Sequence, residues 1–247
     1  MERTAALVIR LVPWSEASYV VELFTRRFGK VEAVAKGARR AKNPFDTAVE
    51  LLAVSDAVLL RKRSEALDIL AEAKLEFRFR PPGGRLENLY AAYYVAEMLQ
   101  VLTEPEDAQP SLFDAAVAVL ELWRRREINP WMVFRWETAA LKLLGVQPSL
   151  AHCVECGQRV VPKTRVAFAP VHGGVVCDRC RGGKRPLLVL SAPTWKAWMA
   201  LAQEPLAAVT STGPVRVGSS GELRAVLNQY LAHLRGKPWR MHPLLPR

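Results

Sequence analysis

The chain has 247 residues, half of them hydrophobic, with four cysteines and 35 Lys and Arg against 24 Asp and Glu, a formal net charge of +11. That length and apolar content exclude a disordered chain and allow one large domain or two to three small ones. A pI near 9.9 favours a polyanionic partner, nucleic acid or an anionic membrane face, over an inert basic surface.

The opening stretch, MERTAALVIRLVPWSEASY, sets Glu2, Arg3 and Arg10 in a short apolar run broken by Pro13, which is no secretory signal. No run reaches the roughly 18 to 20 apolar residues of a membrane helix. The chain therefore reads as soluble and cytoplasmic, without a membrane partner, where Cys-x-x-Cys pairs bind metal more often than they form disulfides.

Residues 1–80 carry five strand-length runs, TAALVIRLV, SYVVELFT, KVEAVAKGA, AVELLAVSDAVLL and LDILAEAKLEF, each β-branched or alternating. The breaks fall at Pro13 to Glu16, before Gly29, and from Gly37 to Pro44. Five strands without a long helix predict a small barrel, and strand count alone fits an OB type or an SH3-like one. Two basic runs sit between these strands: Lys36, Arg39, Arg40 and Lys42 after the third, and Arg61, Lys62 and Arg63 between the fourth and fifth. Loops and strand edges of such barrels bind single strands, which makes these seven the candidate DNA-binding residues, against the alternative of solvated loops. Trp14, Phe28 and Phe45 are candidate stacking platforms, against the alternative of barrel packing.

At RPPGGR, residues 80–85, the period changes. Leu86, Leu89, Tyr90, Tyr93 and Val101 recur at helical spacing and predict an amphipathic helix. A second helix is expected from Ser111, with Asp114 completing a capping-box-like start, and a third from Pro130 to a stop at Gly145. Two more follow the cysteines, one from Ser191 and one ending at Gly236. Tyr90, Tyr93, Trp131, Trp136, Trp195 and Trp198 are read as core. The fold class is α+β: a barrel over residues 1–80, a helical domain over 81–150 and 191–247, and a metal module over 151–190. The first helices form an acidic island, nine acidic against six basic residues in 81–150.

Cys153, Cys156, Cys177 and Cys180 read as Cys-x2-Cys, twenty residues, Cys-x2-Cys, the spacing of a zinc ribbon. Two intervening residues let both sulfurs of a tight turn face one tetrahedral centre, with Gly157, Gly173, Gly174 and Gly182 expected to supply positive φ. A closed Cys₄ set leaves no open coordination position, so one structural Zn per chain is expected, with His152 or His172 as substitute ligands and a redox dithiol as the competing readings. The sequence between the pairs has few large apolar residues and should depend on metal for folding, worth on the order of 10 kcal/mol. Lys163, Arg165, Arg179, Arg181, Lys184 and Arg185 around it offer phosphate contacts. No phosphate loop, dinucleotide fingerprint, zincin motif or nucleophile elbow occurs, and nothing in the sequence asks for a catalytic site.

SEASYVVELFTRRFGKVEAVAKGARRAKN, with Thr25-Arg26, Gly29-Lys30 and the basic turn Ala35 to Arg40, resembles the start of the bacterial recombination mediator family RecO. RWETAALKLLGVQPSLAHCVECG resembles the same family's helix, Leu-Leu-Gly, Pro and first Cys-x-x-Cys. The resemblance in order and size spans essentially the whole chain. It implies an OB-fold, a helical domain with a zinc module set into it, and no enzymatic activity. It also implies binding of single- and double-stranded DNA, annealing without ATP, and action with RecR, and often RecF, to load RecA onto DNA coated by single-strand-binding protein. That location is cytoplasmic and nucleoid-associated. By position, the resemblance carries DNA contact onto Lys36, Arg39 and Arg40. Some family members lack the cysteines, which makes zinc dispensable to the family's activity. The residues alone leave open a zinc-ribbon protein that binds RNA or acts as a scaffold.

Overall fold

In the computed structural model, which describes residues 1–62, 66–161, 164–182, 187–213 and 218–246, the five apolar runs become β1 (Glu2–Pro13), β2 (Tyr19–Thr25), β3 (Gly29–Ala35), β4 (Ala53–Leu60) and β5 (Asp68–Arg78). They close into a barrel in the order β1-β2-β3-β5-β4. All pairs are antiparallel except β3 with β5. The crossover that lays β5 between β3 and β4 is the Greek-key connectivity of an OB-like barrel. Alternation turns Val21, Leu23, Val31, Ala33, Leu59 and Leu70 inwards; fully burying such an aliphatic side chain stabilises by about 1.5–3 kcal/mol.

The fourth run starts later than its hydrophobicity suggests. Ala48 to Leu52 form a turn, and Phe45 and Val49 pack into the barrel core. Leu52, at φ 64°, is held there by Leu52 N–H to Val8 C=O (2.9 Å) and Phe79 N–H to Leu52 C=O (3.2 Å).

The chain divides into two compact units, Met1–Glu127 and Ile128–Arg247. In the first, α1 (Leu86–Leu102) and α2 (Pro110–Trp123) follow the barrel. The amphipathic expectation for α1 is corrected: Leu86 is 56% exposed, and from Ala91 to Leu99 every residue except Tyr93 is buried. A helix covered on nearly all sides needs no polar face, and Ala91, Ala92 and Ala96 permit close approach. Asn88 caps the end of α2 by donating to Trp123 C=O and Arg126 C=O (both 2.7 Å). The capping box at Ser111 does not form. Pro110 is the first helical residue after Gln109, and the Asp114 carboxylate instead takes Arg26 in a bidentate pair at 2.8 and 3.0 Å.

The second unit holds α3 (Pro130–Leu143), β6 (Arg165–Ala169), β7 (Gly174–Val176), β8 (Leu188–Ser191), α4 (Ala192–Gln203) and α5 (Ser220–Arg235). Pro130 and Ser191 begin their helices and Gly236 ends α5 at φ 75° as expected; Asn129, Ser191 and Ser219 accept backbone N–H bonds at the three N-termini. Sequence reasoning missed the three-stranded antiparallel sheet, order β7-β6-β8. Its Val166, Phe168, Val175, Val176 and Leu190 are buried. Phe168 packs 5.3 Å from the Trp198 ring and 5.9 Å from that of Tyr230. The cysteine segment thus shares an apolar core with α4 and α5. Among the described residues, no helix is long and apolar enough to cross a membrane.

Candidate nucleic-acid interface and metal centre

β3 ends at Ala35, and Gly37, at φ 77°, turns the chain so that Ala38 N–H reaches Ala35 C=O (3.4 Å) and Arg40 N–H reaches Gly37 C=O (3.1 Å). This turn presents Lys36, Arg39, Arg40 and Lys42, all exposed. Arg39 ties it to the β1–β2 loop: its N–H donates to Ala17 C=O (3.1 Å), Nη1 donates to Ser15 C=O, and the guanidinium lies 5.6 Å from the Tyr19 ring. Trp14, in the same loop, is 65% exposed. Four cations and an open indole therefore share one end of β3.

The second basic run is held elsewhere. Arg61 stacks 5.2 Å from the ring of Phe28, which precedes β3, so the two runs lie at opposite ends of a seven-residue strand, roughly 20 Å apart at about 3.3 Å per residue. Arg61 Nε pairs with Asp68 at 2.7 Å and Nη2 with Glu106, leaving its side chain 24% exposed. Lys62 is exposed and lines a groove of about 510 Å³ with Glu22, Lys30, Glu32, Asp68 and Glu106. Glu22 and Glu32 face each other directly across β2 and β3. Burial holds the Glu22 carboxyl above its usual range, opposed by Lys30 and reinforced by Glu32. This side of the barrel is acidic. Arg63 lies outside the described residues, as do Lys163, Lys184 and Arg185. Of the proposed aromatic platforms, Phe45 is corrected to core at 4% exposed, and Phe28 is half-buried with Arg27 and Arg61 against its ring.

The Thr25-Arg26 and Gly29-Lys30 pairs are internal joinery of the first unit. Thr25 Oγ1 donates to Gly29 C=O (3.0 Å) and accepts from Phe28 N–H (3.0 Å). Lys30 Nζ donates to Gln100 C=O (2.8 Å) and Thr103 C=O (2.6 Å), satisfying carbonyls at the end of α1. Gly29 has φ 65°, and a Cβ there would meet Asp107 O at 2.1 Å. A Gly-Lys pair opening a strand was the available signal; its helix partner, some 70 residues away, was not readable.

Around the cysteines, Trp195 Nε1 donates to Leu150 C=O (2.9 Å) and Tyr230 Oη to Val146 C=O (2.7 Å), fixing the chain that leads from α3 into the first pair. Cys153 and Cys177 each open a tight turn, with Gly157 N–H to Cys153 C=O (2.9 Å) and Cys180 N–H to Cys177 C=O (3.0 Å). Val154 N–H to Val175 C=O (3.0 Å) joins the two. Gly157 and Gly173 have the expected positive φ. Gly174 does not, and is needed because a Cβ there would stand 2.5 Å from Ser149 O; Gly182 has ordinary φ.

The four sulfurs lie within 4.8 Å of one another, and Cys156 Sγ is 3.8 Å from Cys177 Sγ, about the sulfur–sulfur edge of a tetrahedron with 2.3 Å Zn–S bonds. Burial opposes charge on Cys153, but amide donors from Cys177, Cys156 and Glu155 pull its thiol down to about 6. The neighbouring thiols of Cys177 and Cys156 push Cys180 up to about 12. Four sulfurs so placed form an all-thiolate donor set at tetrahedral spacing, and that donor set fits Zn²⁺. His152 and His172 stand outside this group; His172 is 3.8 Å from the Glu155 carboxylate.

A family model described as "Recombination protein O N terminal" matches residues 1–79, and "Recombination protein O C terminal" matches residues 84–241. DNA repair protein RecO of Rhodopirellula baltica is 34% identical, with 98% of this chain and 97% of the relative covered. RecO of Symbiobacterium thermophilum is 38% identical over 70% of this chain and 69% of the relative. RecO of Anaeromyxobacter dehalogenans is 30% identical over 95% and 92%.

Proposed function

The chain belongs to the RecO family of DNA repair proteins, and from that premise we propose that it is a non-enzymatic DNA-binding mediator of recombinational repair. It binds single- and double-stranded DNA, anneals complementary strands without ATP, and acts with RecR and RecF to load RecA onto DNA coated by single-strand-binding protein. The observation that carries this reading is the exposed turn of Lys36, Arg39, Arg40 and Lys42 beside Trp14. Phosphates neutralised there release counterions, and the indole offers a base a stacking face, the two contributions that sequence-tolerant single-strand binding requires.

Annealing breaks no covalent bond. It needs two strands held close with their phosphates screened, and a chain of net charge +11 supplies that screening. Arg61, Lys62 and Arg63 form the second, weaker group of the proposal, because Arg61 is already shared between two carboxylates. Cys153, Cys156, Cys177 and Cys180 would hold one Zn²⁺, whose contribution is to cross-link two turns, with no ligand position left for chemistry.

The test is annealing of complementary oligonucleotides precoated with the cognate single-strand-binding protein, without ATP. Acceleration is the expected result. Tight DNA binding with no acceleration would refute the annealing step, and preference for RNA without annealing would favour an RNA-binding scaffold.

A further inference from the structure

The four cations of the turn after β3 are not equivalent. The side chains of Lys36, Arg40 and Lys42 have no hydrogen bond or ion pair among the described residues and stand open to phosphates. The Arg39 side chain is engaged within the protein. Its Nη1 donates to Ser15 C=O, its guanidinium lies 5.6 Å from the Tyr19 ring centroid, and its backbone N–H donates to Ala17 C=O at 3.1 Å. All three contacts fall on the loop of residues 14–18 or on the first residue of β2.

That loop is closed only at its mouth from within, where Trp14 N–H and Ser15 N–H both donate to Ser18 C=O (3.0 and 3.3 Å). The Trp14 indole is 65% exposed. An aromatic on a loose loop loses affinity to its own ordering when a ligand immobilises it, and one on a fixed backbone has only two side-chain torsions left to order. Arg39 grips the carbonyl of the residue next to Trp14. The guanidinium plane can lie over the Tyr19 ring while its edge donates, a combination denied to a lysine ammonium.

Resting on the DNA-binding reading, we propose that Arg39 is a positioning residue: it pins the loop of residues 14–18 so that Trp14 stands as a preformed stacking platform, and thereby sets a preference for single strands over duplex. Phosphate contacts serve both forms of DNA. A stacking platform serves only the single strand, whose base faces are open, since every base inside a duplex is already stacked between its neighbours.

The experiment is anisotropy titration of the full chain with labelled single-stranded and duplex oligonucleotides, joined to ¹⁹F spectra of DNA-free protein carrying 5-fluorotryptophan. Trp14→Ala should weaken single-strand binding by about 5- to 150-fold, the stacking of one base. Arg39→Lys keeps the charge but not the planar grip, and should weaken single-strand binding at least about threefold more than duplex binding. Lys36→Gln, a phosphate contact, should weaken the two to similar extents. In a Trp14→Ala background the excess effect of Arg39→Lys should vanish, because the two residues act as one unit. Without DNA, the Trp14 line, identified by its loss in Trp14→Phe, should move towards free 5-fluorotryptophan in Arg39→Lys. Equal weakening of single-strand and duplex binding, the same excess without Trp14, or an unmoved Trp14 line would overturn the assignment. A wild-type chain that bound no DNA while the line still moved would instead sink the DNA-binding reading, and the preference with it.

Discussion

Replacing Lys36, Arg40 and Lys42 together with Gln isolates the proposed DNA contact from the fold. All three are exposed, and their side chains have no hydrogen bond or ion pair among the described residues, so the triple variant should unfold at the wild-type urea midpoint. Each phosphate contact contributes about 0.7 to the log–log salt slope on single strands and about 0.9 on duplex. Removing three should flatten the slope by about 2 on single strands and about 2.7 on duplex. Between 50 and 200 mM salt, those contacts account for roughly 20-fold and roughly 40-fold of the wild-type loss in affinity, by the same arithmetic. Anisotropy titrations of a labelled oligonucleotide at a series of salt concentrations read the slope directly. An unchanged slope in a folded triple variant would refute the barrel-turn assignment. Arg61→Gln is the contrasting perturbation. With Asp68 and Glu106 deprived of their partner, stability should fall by about 1–3 kcal/mol while the slope falls by less than one full phosphate contact.

Gly29→Ala should destabilise by about 2–4 kcal/mol, combining a left-handed backbone cost of about 1–2 with overpacking against Asp107. Gly37→Ala, with positive φ but no contact under 3.7 Å, should show the backbone cost alone; equal urea midpoints for the two would refute the close-approach argument. Elemental analysis should find one Zn per chain, lost in Cys177→Ser; metal-free protein with paired disulfides would overturn the site. Glu222 accepts from Ser191 Oγ (2.6 Å) and Thr194 Oγ1 (2.7 Å), which hold its carboxyl below the usual range, led by Ser191. A depressed folded pKa gives stability that is present above the unfolded value, about 4.3, and lost as pH falls through the folded one. Glu222→Gln should therefore narrow the stability difference between neutral and acid pH; an unchanged acid profile would count against it.

Much of this was legible because it is local. Strand alternation, the helix signals at Pro130, Ser191 and Gly236 and the paired cysteine turns are all written within a few residues. What failed to read depends on partners far along the chain. Asp114 has the spacing of a capping box but is claimed by Arg26, 88 residues away, and the face of α1 was misread because that helix is covered on nearly all sides from Ala91 to Leu99. The sheet around the cysteines was hidden for the same reason: Phe168 reads as an isolated aromatic until Trp198 and Tyr230 are brought against it. For the basic runs, the residue order shows where the cations fall between strands, but not the carboxylates that already hold Arg61.

The aromatic cluster of Phe168, Trp198 and Tyr230 also changes what metal loss means. A small zinc finger that lacks such a centre collapses outright when chelated. Here Phe168, Trp198 and Tyr230 pack on one another without using the cysteine sulfurs, so zinc at the proposed site should act as ordinary ligand linkage, adding about RT ln(1 + [Zn]/Kd) of stability. Under zinc starvation the lobe would soften by degrees, beginning at the two turns, with helical circular dichroism retained.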